Sequence, residues 1–221
     1  MRKVLLMAGL LAGLVSSAAL SQPVEREAGP LPRFFPHRET YLGLDPDQRT
    51  HFQLAYRVSS EADIAPDEIE MWFTQGEDRV SFEIDATGRI NHLPDLQTLE
   101  AAPPVWINQP SGGMSLSMQF EARLPGGPTY ASEDLELALG QANNAIRQAA
   151  GVAALFAPNF KTLIFVYEGP APTADAIHED GSRTPLTAQE NRVLVRPRDR
   201  NMRDVVSIEL GGMPVRVLLD S

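Results

Sequence analysis

Five arginines, Arg192, Arg196, Arg198, Arg200 and Arg203, fall within NRVLVRPRDRNMR (191–203) of a chain that carries 29 acidic against 19 basic residues. Guanidinium groups present fixed forks of N–H donors that match carboxylate and phosphate oxygens. If the bend between strands gathers them, these residues form a patch for an anionic polymer or headgroup. The alternative is a solvated hairpin end neutralised by Asp199 and Asp204. Nucleic acid is not expected as a partner. The stretch holds no aromatic to stack a base, and an acidic chain repels phosphate.

Trp72 and Trp106 are the second pair of candidates. Ile69, Met71 and Phe73, and likewise Val105 and Ile107, alternate as core-facing strand positions do, which turns both indoles to the opposite face. An aromatic there needs a cover, supplied by the helix or the proline-rich lead-in, or acts as a platform for a saccharide.

Other chemistries find less support. His37, His51, His92 and His178 lie at no metal-ligand spacing, and no serine–base spacing marks a nucleophile. Without cysteine, thiol catalysis, Fe–S clusters and Cys-type zinc sites are excluded. The stretch EIDATGRINHLPD (83–95) offers one carboxylate, Asp85, where a calcium loop needs several, whereas Gly88 suits a hairpin bend. No catalytic residue, metal site or cofactor is therefore assigned.

These residues sit on elements that alternate with period two. Phe52/Leu54/Tyr56/Val58, Val80/Phe82/Ile84 and Met114/Leu116/Met118/Phe120 join the two strands above, separated by turn signals. One amphipathic helix is expected from Ser132, as N-cap, to about residue 156. Leu135, Ala138, Leu139, Ala142, Ile146 and Phe156 fall on its apolar side, and Arg147 on its polar side. KTLIFVY (161–167) is apolar on both faces and reads as a central strand. Strands return at 192–196, 205–210 and 215–219. The fold class is mainly β, α+β overall: an antiparallel β-sandwich, one long helix and a second, smaller antiparallel β module.

The expected organisation is a signal peptide over 1–21, a proline-rich, irregular lead-in over 22–49, the sandwich over 50–125, linker and helix over 126–160, and the C-terminal β module over 161–221. Arg2 and Lys3 precede an apolar run and then small residues, the layout of a cleavable export signal. Its removal takes the formal charge from −10 to −12. No later run is long and apolar enough to span a bilayer. Phe34, Phe35 and Tyr41 are expected to pin the lead-in to the body.

The two β regions align on their punctuation. Residues 75–94 run parallel to 179–197, with Gly76 opposite Gly181, Phe82 opposite Leu186, Ile90 opposite Val193 and Pro94 opposite Pro197. Residues 105–116 parallel 206–217, and both stretches lead through Gly-Gly-Met into a strand. Similar hairpins produce such likeness without duplication, so both readings stand.

Two resemblances follow from these motifs. IELGGMPVRVLLDS (208–221) resembles the strand–Gly–strand approach to the active site of retropepsin-like aspartic proteases, with Asp220 and Ser221 at the first two positions of Asp-Thr/Ser-Gly. The motif glycine is not present, and a lone carboxylate does not make the paired site which that resemblance implies. The Gly-closed hairpins, the following Leu-Pro and the short strands resemble transthyretin-like and carboxypeptidase-regulatory-like β modules of exported bacterial proteins, across 50–125 and 161–221. That resemblance implies a non-catalytic attachment.

The sequence thus points to a periplasmic or secreted binding module, its partner an envelope protein or an anionic or saccharide polymer. The alternatives are an envelope-polymer hydrolase using scattered carboxylates, and a structural or assembly factor contacting another envelope protein.

Overall fold

The computed structural model describes residues 25–61, 64–151 and 158–221. The proposed export signal and the last turns expected of the helix lie outside them. The architecture is mainly β, with sixteen strands named among the described residues. They are β1 (Arg26–Pro30), β2 (Phe52–Ser60), β3 (Met71–Gln75), β4 (Asp78–Ser81), β5 (Glu83–Ile84), β6 (Ile90–Asn91), β7 (Pro104–Ile107), β8 (Met114–Ala122), β9 (Thr129–Ala131), β10 (Thr162–Val166), β11 (Ala174–His178), β12 (Arg183–Pro185), β13 (Ala188–Gln189), β14 (Arg192–Val195), β15 (Val205–Leu210) and β16 (Arg216–Asp220). The α-helices are α1 (Arg38–Leu42), α2 (Leu96–Ala101) and α3 (Ser132–Ala150).

The strands follow one plan twice. A four-stranded sheet runs β1-β7-β3-β4, and a second runs β9-β15-β11-β12, so adding eight to each strand number of the first gives the second. The six-stranded sheet, β13-β14-β10-β16-β8-β2, completes the pattern. In it β14 lies beside β10, and the β5–β6 hairpin reaches the equivalent edge of β2 through the Arg57↔Arg89 bridge. Long-range hydrogen bonds repeat as well. Phe82 N–H donates to Met71 O and Leu186 N–H to Ala174 O, each at 2.8 Å. Val58 N–H donates to Gly88 O, as Tyr167 N–H does to Asn191 O.

The two copies span β1–β8 and β9–β16. Their last strands meet antiparallel at Leu218↔Glu121, as a two-fold axis through the sheet requires. The aligned landmarks hold in three dimensions. Gly76 and Gly181 both take positive φ in the turns after β3 and β11, and Ile90 and Val193 pair with Ile84 and Ala188.

Apolar residues from both copies form one contiguous core. Phe52, Leu54, Tyr56, Met71 and Phe73 belong to it, as do Leu163, Phe165, Val193, Ile208 and Leu219. Strand β10 lies inside the six-stranded sheet between β14 and β16, and four of its five residues are buried. Helix α3 buries Leu135, Ala138, Leu139 and Ala142.

Several elements differ from expectation. Residues 26–30 form a strand in the lead-in, because β1 takes the edge beside β7 where proline loses no ladder bond. Phe34, Phe35 and Tyr41 are buried. The alternation of Val80, Phe82 and Ile84 is split between two sheets at Phe82, whose N–H bonds back to β3. Ala131, not Ser132, holds the N-cap position of α3, since β9 runs directly into the helix. Ile146 is half-buried and borders an apolar cleft instead of the core.

Candidate functional site

The outer face of β2 and β8 carries the polar half of each alternation. Register places Gln53 opposite Glu121, and Arg57 opposite Arg89 of the hairpin, all on the face away from the core. The hairpin is held against β2 by close approach. Gly88 has φ +79°, and a Cβ there would lie 2.2 Å from Val58 O. Only glycine satisfies both the left-handed backbone and that contact. Asp85 then closes the turn, with one carboxylate oxygen accepting from Thr87 N–H, Thr87 Oγ1 and Arg89 N–H at 2.6–3.0 Å. Burial pushes the Asp85 carboxyl up. The Thr87 and Arg89 hydrogen bonds and nearby Arg57 outweigh it and hold the group below the usual aspartate range.

Above this frame lies a cleft of about 480 Å³ whose charged lining is Arg57, Arg89, Arg216, Glu121, Asp85 and Glu168. Its rim is apolar on one side, where Met213 and Val215 are exposed. Formal charges balance, but the hydrogen-bonding demands of the two signs do not. Glu121, 3% exposed, receives Arg89 Nη1 on both oxygens at 2.7 and 2.6 Å, and also Gln53 Nε2 at 3.3 Å. Asp85 is satisfied within its turn. Arg57 spends Nη1 on Thr87 O and Oγ1, yet its Nε is buried without an acceptor, and so is the Nε of Arg216. Burial, and after it the positive charge of Arg216, hold the Arg57 guanidinium below its usual pKa. Both donors are thus left without a protein acceptor, in two side chains that line the cleft.

Comparison with family models, curated proteins and solved structures finds no match to this chain. The cleft therefore has to be read from its own chemistry.

The structure separates the residues singled out in the sequence. Trp72 and Trp106 oppose each other directly on β3 and β7, on the face away from the core, as the alternation predicts. Trp72 is 5% exposed, and the Arg79 guanidinium lies 3.7 Å over its ring. Arg79 is held there by Glu70 at 3.0 Å and Glu25 at 3.5 Å. The indole's cover is thus a cation, and that ring face is closed to a sugar.

The arginine run is not one patch. Arg192 begins β14 and Arg196 directly follows it, with Arg196 Nε donating to Thr162 Oγ1. Arg198 borders a depression on α3 together with Glu133 and Glu136. Arg200 and Arg203 sit in and after a 3-10 turn. All five are exposed, and among the described residues no ion pair within 4.0 Å involves any of them.

Asp220 ends β16 exposed, opposite Thr162. Among the described residues no group of three or more His, Cys, Asp or Glu is placed to hold a metal, and no helix is long and apolar enough to cross a membrane. Sequence reasoning missed Arg57, Arg89, Arg216 and Glu121. They lie far apart in the chain, and their only local signal was a charged residue inside an otherwise alternating strand.

Proposed function

We propose that this is an exported, non-catalytic binding protein that holds a carboxylate- or phosphate-type anion in the Arg57–Arg216 cleft. One observation carries the reading: two guanidinium Nε atoms are buried there with no acceptor, while Glu121 and Asp85 beside them are committed to other donors. Guanidinium groups stay protonated and bind without exchanging protons, which suits holding rather than turnover. A hydrolytic alternative needs a carboxyl raised towards neutrality beside the reacting bond. Asp85 is shifted the other way. The export signal expected from residues 1–21 favours an envelope location, where acidic polysaccharides and lipid headgroups supply such anions.

The test is calorimetric titration of the full-length chain with galacturonate and with inorganic phosphate at low salt. Saturable binding that weakens with salt is expected, and Arg57→Met or Arg216→Met should abolish it while keeping an apolar stem in place. Absence of binding by either anion, or undiminished binding by both variants, would overturn the assignment.

A further inference from the structure

From the cleft's Arg216 the sheet register leads to further cations that a single small anion would not use. On β10, Val166 pairs with Arg216 of β16 on one side and with Arg192 of β14 on the other. Directly opposed residues of an antiparallel pair share a face, so both arginines project from the outer face of the six-stranded sheet. Two strand spacings separate them, about 10 Å. Arg196 continues the line along β14, four residues from Arg192 and about 13 Å away. It is anchored to Thr162 of β10, a residue two before Ile164 on the same face. Asp220 flanks Thr162 from the other side, but among the described residues it forms no ion pair within 4.0 Å with any arginine.

We infer that Arg216, Arg192 and Arg196 extend the cleft into a track for a linear acidic polysaccharide, one anionic group seated between Arg57 and Arg216 and successive groups meeting Arg192 and Arg196. The inference rests on the cleft being an anion site. Three features select the polymer class. The guanidinium groups recur at intervals suited to one acidic group per short sugar repeat. Arg57 and Arg216 are half-buried, so a chain can reach them where the plane of a lipid surface cannot. Beside the arginines the faces of β10, β14 and β16 offer the half-buried Ile164, Leu194 and Leu218, with no aromatic to stack a nucleic-acid base.

The experiment compares four probes on the full-length chain at low and moderate salt: polygalacturonate, monomeric galacturonate, phosphatidylglycerol vesicles and single-stranded DNA. Polygalacturonate is expected to bind most tightly. In the double variant Arg192→Ala/Arg196→Ala its affinity should fall by about tenfold or more and its salt dependence should flatten, because fewer counterions are displaced. Galacturonate binding should be unchanged in that variant, since the cleft is intact. Equal polymer affinity and salt dependence in wild type and double variant would overturn the track while leaving the cleft standing. Tighter binding of vesicles or DNA than of polygalacturonate would overturn the polymer class. Loss of galacturonate binding in Arg57→Met together with retained polymer binding would also overturn it, since the chain would then not be seated in the cleft.

Discussion

Arg79 and Arg183 occupy the same place in the two copies and do different work. Each faces a directly opposed pair on the neighbouring strands, Trp72↔Trp106 in the first copy and Asp175↔Glu209 in the second. Over Trp72, Arg79 is a lid, its guanidinium carbon 3.7 Å from the ring centroid. Between the carboxylates, Arg183 is a salt-bridge donor, 2.9 Å from Asp175 and also paired with Glu209. The cleft shows a parallel divergence. Position for position, Arg57, Glu121 and Gln53 of the first copy correspond to Val166, Asp220 and Thr162 of the second. The hydrogen-bonding frame is common to both copies, and the surface chemistry is local to each. A shared backbone plan therefore fixes where side chains project and leaves open what they recognise.

Changes made at matched positions test that contrast, and the most severe asks whether the copies stand alone. Leu139 is fully buried in α3, an element present only in the second copy. Leu139→Asp places an unpaired carboxylate in the shared core and is expected to cost about 5 kcal/mol or more. Because one core and one sheet join the halves, denaturant unfolding of any surviving fold should be a single transition. Two separated transitions by fluorescence and circular dichroism would show that the copies are independent units. The half-buried Ile146, changed to Asp, should be milder.

The next contrast lies on the outer sheets. Trp72→Ala removes a side chain that is 5% exposed and should cost about 3–5 kcal/mol. Asp175→Ala, at the matched position, removes one partner of an exposed ion pair and should cost less than about 1 kcal/mol. Chemical denaturation of both variants measures the difference, and similar losses would mean that Arg79 does not shield Trp72 as described.

Within the cleft, Glu121→Ala strands Arg89 without its buried partner. The expected loss is about 2–3 kcal/mol, below that of a wholly buried pair because Arg89 is partly exposed. Asp220→Ala, its counterpart, should change stability by no more than about 0.5 kcal/mol. A large effect at Asp220 would show that the second copy keeps a hidden partner for it.

The smallest effect is a pH dependence. Asp85 corresponds to Gln189, which does not titrate. With its folded pKa below its unfolded value, Asp85 contributes stability above the unfolded pKa of about 4, and this is lost as pH falls through the folded value. Exchange protection of the Thr87 and Arg89 amides should fall in that acid range and become pH-independent in Asp85→Asn. Unchanged acid behaviour of those amides in the variant would remove Asp85 as the turn's lock.

Much of the scaffold is legible in the chain. Alternation locates β2, β3, β7, β8, β14, β15 and β16, and a run apolar on both faces marks β10 as central. The repeat was visible at Gly76/Gly181 and Phe82/Leu186, positions where turn geometry and strand exit constrain residue type. The strands β1, β9 and β13 escaped because they are short, lie at sheet edges and bury little, so no periodicity accumulates. The cleft escaped for another reason. Its four charged residues come from β2, the β5–β6 hairpin, β8 and β16, and only the sheet order brings them together. The tryptophan face was readable from strand period alone, but its arginine cover depends on the β3–β4 register, in which Thr74 meets Arg79.

The hairpin that Gly88 docks against β2 also bears on how copies of the chain behave towards one another. At the opposite end of the six-stranded sheet the last strand, β13, has two residues, too few to template another chain, whereas β2 has nine. A long terminal strand with free N–H and C=O groups invites a second molecule to continue the sheet. The 85–89 turn occupies those groups at Arg57 and Val58 midway along β2. The close fit of Gly88 thereby keeps the middle of that strand from presenting free backbone groups to a second chain.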